Sequence, residues 1–152
     1  NVRDDELTPK DYYYLLLGQY AQTSRLIDSN ANRGLVVADT NSLVTKAYYD
    51  YYLKESPVQD EETDTFDNLF ASILSKEKWD LILFAEPVGA YVNDGFRDMS
   101  MADEAIRSDF SSYLKKLKEQ CLAHIPTVYL AGSYLDNYQA AKEAIDMIYQ
   151  AD

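Results

Sequence analysis

Two short stretches and one cation carry most of the chemistry this chain could offer. Asp39-Thr40-Asn41 follows the apolar run Leu35-Val36-Val37-Ala38, and Asn93-Asp94-Gly95-Phe96-Arg97 lies within a long segment, Val88 to Ala102, that has no helical period. Arg107 follows at the start of a helical pattern. A short apolar run bounded by turn residues reads as a buried strand. Strands of a parallel sheet covered on both faces are continuously apolar rather than alternating. Open α/β sheets bind ligands beyond the carboxyl ends of such strands, so Asp39 is the first candidate for chemistry. Asp, Thr and Asn are also common helix caps, and Asn-Asp-Gly is also a common turn. From position alone both readings stand. A loop as long as Val88–Ala102 inside a compact domain is a lid, a binding loop or disordered chain.

The elements that must position these residues alternate along the chain. Thr8-Pro9 starts a helix with Thr as cap and Asp11 at the third position, and Tyr13, Leu16, Leu17, Tyr20, Ser24 and Ile27 form its apolar face. After the turn Asp28 to Gly34 comes the strand ending at Asp39. A second helix points Leu43, Val44, Ala47 and Tyr51 inward and ends near Ser56-Pro57. Gln59 to Asp64 reads as an acidic, solvated loop. A third helix buries Phe66, Leu69, Phe70, Ile73 and Leu74. Trp79 to Ala85 is the second buried strand, ending at Glu86-Pro87. A long helix then carries Phe110, Tyr113, Leu114, Leu117 and Cys121 inward and Lys115, Lys116, Lys118 and Glu119 outward. Thr127 to Ala131 is the third strand, Gly132-Ser133 a turn, and Tyr138, Ala141, Ile145 and Ile148 the inner face of the last helix. Strands alternating with helices argue for an α/β fold with a parallel sheet. Three strands are few for this many helices, so further strands are expected outside the chain.

Composition narrows the function classes. The 152 residues are enough for one domain with a substantial core. Fourteen basic against 26 acidic side chains give a net charge of −12, which opposes loose binding to nucleic acid phosphates. No apolar run approaches the roughly 20 residues needed to cross a bilayer, so no membrane partner is expected. The single cysteine, Cys121, excludes an intrachain disulfide and suits a reducing, cytoplasmic setting. With His124 as the one histidine, the chain cannot assemble a Ser-His-Asp triad or a histidine-rich zinc site.

From Trp79 onward the pattern resembles a known family. Trp-Asp-Leu-Ile-Leu-Phe, then Tyr91-Val92-Asn93-Asp94-Gly95-Phe96-Arg97, then Arg107-x-x-Phe110, is similar to the ribosylnicotinamide kinase domain of the NadR family. Those proteins join an NMN adenylyltransferase to a P-loop kinase domain. Asp39-Thr40-Asn41 resembles the family's Asp-Thr-Asp/Asn at the end of the Walker B strand, and Tyr134-Leu135-Asp136-x-Tyr138 its final turn. The resemblance runs from about Asp5 to Tyr149, and the Asp-Gly-x-Arg loop is its most specific part. Two features depart from it. Tyr91 stands where the family usually has Trp, and no Gly-x-x-x-x-Gly-Lys-Ser/Thr occurs in the chain.

The resemblance implies a three-layer parallel sheet of P-loop kinase type whose N-terminal strands are missing from this chain. Residues 1–152 would be the C-terminal portion of the domain, with a lid at about 88–108. The implied reaction is ATP-dependent phosphorylation of nicotinamide riboside to NMN in NAD biosynthesis or salvage, with ATP as co-substrate and Mg2+ as cofactor. Asp39 would hold the magnesium ion, through water, or orient the attacking ribose hydroxyl. Arg97 and Arg107 would close over the transferring phosphoryl group. Tyr91 would stack on the nicotinamide ring, Asn93 and Asp94 would bind the ribose hydroxyls, and Thr40 and Asn41 would add substrate contacts. The resemblance would place the phosphate loop upstream, in a segment that could also carry an adenylyltransferase domain, and the fragment alone would be inactive. The alternatives are a kinase for another nucleoside or nucleotide, and a non-catalytic nucleotide-binding regulatory module.

Overall fold

A computed structural model describes residues 6–30, 34–53, 61–87 and 99–151. They form five α-helices, α1 (Pro9–Asn30), α2 (Ser42–Leu53), α3 (Glu61–Leu74), α4 (Glu104–Leu122) and α5 (Tyr134–Ala151), and two strands, β1 (Ile82–Ala85) and β2 (Thr127–Leu130). A 3-10 turn spans Met99–Ala102. The helices α1 to α3 belong to one compact unit; β1, the 3-10 turn, α4, β2 and α5 belong to a second.

The first unit is a helical trio closed by aromatic rings. Tyr12 meets Tyr49 edge to face with centroids 5.6 Å apart, and Tyr49 stacks on Phe66 at 3.8 Å. These three rings tie α1, α2 and α3 together, with Leu16, Leu43, Ala47, Phe70 and Ile73 buried around them. Lys46 lies over both the Tyr49 and Phe66 rings and pairs with Asp50 and Asp67 at 2.6 and 3.1 Å. Burial works against its charge, but the hydrogen bonds and attraction of Asp50 and Asp67 outweigh that, and the Lys46 pKa is raised. Ser42, fully buried, donates to Glu77 Oε2 at 2.6 Å and fastens the start of α2 beyond the end of α3.

The helix ends follow their sequences. Thr8 and Asp11 form a reciprocal cap on α1: the Thr8 N–H donates to Asp11 Oδ2 at 2.8 Å, and the Asp11 N–H to Thr8 Oγ1 at 3.3 Å. Asp103 caps α4 by accepting from the Ala105 and Ile106 amides. Ser133 and Asp136 form a second reciprocal cap, on α5. That helix begins at Tyr134, a turn ahead of its first expected core residue.

The second unit is built on a parallel pair. Ile82 lies opposite Thr127 and Ala85 opposite Leu130, with α4 between the strands in sequence as the crossover that parallel neighbours need. Phe84 and Tyr129 face each other as a tilted ring pair, centroids 5.4 Å apart.

Several expectations are corrected. Among the described residues the sheet has two strands, the second and third of those expected; the first, Leu35 to Ala38, is not paired, and the described residues do not by themselves make up a three-layer sheet. Leu35 to Ala38 makes no ladder, since a strand exists only by exchanging hydrogen bonds with a neighbour. Nor is it buried on both faces. Leu35 and Val37 are 52% and 69% exposed while Val36 and Ala38 are half-buried, an alternation with the period of a strand covered on one side. The strand expected from Trp79 pairs only from Ile82. Glu61 to Asp64, expected in a loop, form the first turn of α3. Leu17, Ile27 and Tyr51, expected inward, are exposed, and Tyr12 and Tyr49 take the core places. Lys118, expected outward, is 5% exposed, its long stem covering apolar surface while its ammonium reaches Glu119.

Stability measurements can check these assignments. Asp103→Ala removes the α4 cap and is expected to cost about 1 kcal/mol, read as a lower Tm. A Cβ at Gly132 would lie 2.9 Å from Asp136 Cβ, too close for ordinary contact. Gly132→Ala is therefore expected to disturb the Ser133–Asp136 cap and cost about 1–3 kcal/mol. Hydrogen bonds from the Thr8 hydroxyl and backbone hold the Asp11 carboxyl below the ordinary carboxylate range. Its contribution is present above about pH 3.9 and fades as pH falls through the lowered value. Lys46, raised, contributes below about pH 10.4 and loses that contribution as pH rises through its own higher value. Tm measured against pH should fall at both limits, and Lys46→Met should flatten the alkaline fall alone.

Candidate functional site

The first group of candidate residues sits at the turn between Ala38 and α2. Asp39 is exposed, and Thr40 follows it with φ of 67°. That left-handed conformation is uncommon for any residue with a Cβ and a clear outlier for a β-branched one. Such strain costs about 1–3 kcal/mol and persists only where surrounding structure imposes it. The imposing contacts are visible. Gln19 Nε2, on α1, donates to Thr40 Oγ1 at 2.7 Å, and Thr45 Oγ1, on α2, donates to Gln19 Oε1 at 2.9 Å. Asn41 serves as the α2 cap: its Oδ1 accepts from the Leu43 amide at 3.2 Å. Of the polar trio, Asn41 therefore does what a cap does, whereas Asp39 is presented at the surface by a strained neighbour.

The second unit holds a different arrangement at the carboxyl end of β1. The Glu86 amide donates to Leu130 O at 2.9 Å, so the residue is fixed to the sheet. Its carboxylate forms an ion pair with Lys115 and accepts from Ser111 Oγ at 3.2 Å, both residues lying on α4. Lys115 reaches Glu86 across the ring pair, its ammonium 5.8 Å from the Phe84 centroid and 5.4 Å from that of Tyr129. Lys115, expected on the solvent face, thus turns to the sheet. Glu86 carried the same positional signal as Asp39, a carboxylate at the end of an apolar strand, and sequence reading gave it no role.

Arg107 is half-buried on the first turn of α4, and its Nη1 donates to the Met101 and Ala102 carbonyls at 2.9 and 2.8 Å. It pins the 3-10 turn that leads into the helix. After β2, the Asn137 carboxamide brackets Gly132, accepting from its N–H at 2.9 Å and donating to its carbonyl at 3.1 Å. Tyr91, Asn93, Asp94 and Arg97 lie outside the described residues.

Metal chemistry has a narrow basis here. The described residues contain no group of three or more His, Cys, Asp or Glu side chains placed to hold a metal ion. A single exposed carboxylate such as Asp39 nevertheless fits magnesium. That ion is bound by one or two carboxylates and completes its shell with phosphate oxygens and water. An open cavity of about 240 Å³ lined by Pro9, Lys10, Tyr13, Tyr14 and Thr65 contains none of the candidate residues. Among the described residues no helix is long and apolar enough to cross a membrane.

Comparison with known proteins gives these groups a setting. A family described as AAA domain matches residues 3–136. No curated protein sequence matches significantly. A solved structure described as the crystal structure of NadR protein in complex with NR is similar over 99% of this chain, with 33% identity and a TM-score of 0.76. The match takes in 40% of that longer chain. Matched over most of its length, the chain belongs to the AAA domain family, with a P-loop kinase-like fold similar to that of NadR.

Proposed function

We propose that this chain is part of an ATP-dependent kinase that transfers the γ-phosphoryl group of ATP to the 5′-hydroxyl of nicotinamide riboside, giving NMN and ADP. The observation that carries this reading is the 33% identity, over 99% of the chain, to a NadR protein bound to NR. In the reaction, the bond between the γ-phosphorus and the β,γ-bridging oxygen breaks. A new bond forms to the ribose 5′-oxygen, whose proton leaves. Little covalent work falls to the protein, so its residues act by positioning and by charge.

Asp39 is the residue on which the proposal rests most. Exposed at the end of its apolar segment, it would hold the magnesium ion, through water, or accept a hydrogen bond from the 5′-hydroxyl and so orient it. The ion, when bound, neutralises charge on the β- and γ-phosphates. Thr40 and Asn41 shape the turn beneath that carboxylate and are proposed to add substrate contacts from there. Tyr91 would stack its ring on the cationic nicotinamide, with Asn93 and Asp94 on the ribose hydroxyls and Gly95 providing the turn. Arg97 would neutralise the transferring phosphoryl group. Arg107, whose Nη1 donates to the Met101 and Ala102 carbonyls of the 3-10 turn, would place its charge at the carboxyl end of a lid at about 88–108. The chain contains no Gly-x-x-x-x-Gly-Lys-Ser/Thr, so the groups that cradle the phosphates would come from elsewhere in the polypeptide that carries it.

The assay is NMN formation by the full-length product of the reading frame that encodes this chain, supplied with ATP, Mg2+ and nicotinamide riboside. NMN is the expected product. Phosphorylation of another nucleoside but not of nicotinamide riboside would overturn the substrate, and failure to phosphorylate any nucleoside would overturn the kinase reading. Asp39→Asn is expected to lower kcat about 100-fold or more, the scale for removing an electrostatic group from a transition state. Tyr91→Ala should raise KM for nicotinamide riboside roughly 2- to 30-fold, while Tyr91→Trp, which keeps a ring face, should not.

A further inference from the structure

Thr40 is the one described residue other than glycine with positive φ, and its neighbours account for how that conformation is held. The Gln19 carboxamide spans from Thr40 Oγ1 to Thr45 Oγ1, 2.7 and 2.9 Å away. It therefore links three points of the chain: the middle of α1, the turn after Ala38, and the first turn of α2. Each hydroxyl can donate or accept, so the bridge holds with the amide in either orientation. Thr45 sits on a helix whose start is fixed independently, by buried Ser42 on Glu77 and by the Asn41 cap. Gln19 in turn follows Leu16, fully buried in the core of the helical trio, by less than one helical turn. The bridge thus transmits the rigidity of two packed helices to a strained turn.

We propose that Gln19 is a positioning residue for Asp39, acting through Thr40. By holding the Thr40 side chain it keeps that residue in the left-handed region, and the direction in which the preceding residue's carboxylate leaves the backbone is set by that conformation. Without the bridge, Thr40 relaxes to negative φ, the preference of a β-branched residue, and the peptide between Asp39 and Thr40 turns with it. This rests on the reading that Asp39 serves phosphoryl transfer.

The test is a mutant cycle in the full-length protein, with steady-state kinetics for ATP and nicotinamide riboside and a thermal melt for each variant. Gln19→Leu keeps bulk and removes both hydrogen bonds. It is expected to lower kcat about 10- to 100-fold, the cost of misplacing a reacting group by about an ångström, with KM for both substrates unchanged. Thr45→Val, which removes one anchor without changing shape, should lower kcat in the same direction by less. Glycine adopts positive φ freely, so in a Thr40→Gly background Gln19→Leu should change kcat by less than about threefold. An equal loss in both backgrounds, or a loss confined to KM or to Tm, would overturn the proposal. If Asp39→Asn abolishes turnover and Gln19→Leu leaves kcat intact, the role of Gln19 falls while that of Asp39 stands. If Asp39→Asn itself leaves kcat intact, both fall.

Discussion

The stacking of Tyr49 on Phe66, with Tyr12 meeting Tyr49 edge-on, is the contact on which the first unit depends. Each ring comes from a different helix, so one cluster fixes three helices, and Lys46 closes it from above with its charge balanced by Asp50 and Asp67. A cation over aromatic faces is attracted by the ring quadrupole, and two carboxylates satisfy it while it is half-buried. The consequences reach the turn after Ala38. Tyr12, Leu16 and Gln19 recur at three- and four-residue spacing along α1, so the packing that buries the first two also brings Gln19 against Thr45 and Thr40.

Much of this was legible where local rules decide the outcome. The Thr8–Asp11 cap, the apolar face of α3 with Phe66, Phe70 and Ile73, and the pairing cores of β1 and β2 follow from spacing and residue type alone. What could not be read depends on partners far away in sequence. An amphipathic pattern rich in tyrosine does not say which ring is innermost, because Tyr suits both core and boundary; Tyr49 and Tyr51 look equivalent until α3 is placed. Lysine reads as solvent-facing by charge, yet the stems of Lys115 and Lys118 cover apolar surface. Leu35 to Ala38 has a strand's composition, but pairing is a property of two segments, and a single one shows only the alternation of exposure.

The candidate site divides along the same line. Asp39 is singled out as a candidate by its position at the end of an apolar run, a signal that needs no knowledge of neighbours. Gln19 offered no such signal, since a single glutamine on a helix face becomes informative only when Thr40, 21 residues away, is found strained beside it. Arg107 was read as a cation for phosphate; its Nη1 is seen on two carbonyls of the preceding turn, which is how a helix-borne arginine can shape the segment before it.

Asp39 and Glu86 show two ways of fixing a carboxylate at the end of an apolar segment. Glu86 is held by its own side chain, through an ion pair with Lys115 and a hydrogen bond from Ser111, so its charge is already answered within the fold. Asp39 has no ion pair among the described residues, and its place is set by a backbone turn that neutral groups, Gln19 and Thr45, hold from behind. A carboxylate that must meet an external cation gains nothing from an internal one, because the internal cation lowers the field available to the ligand. Strain in Thr40, supported by uncharged hydrogen bonds, gives Asp39 a defined direction while leaving its charge unspent. On that physical ground the metal-facing role proposed for Asp39 suits it better than it would Glu86, whose ion pair and hydrogen bond anchor its strand end.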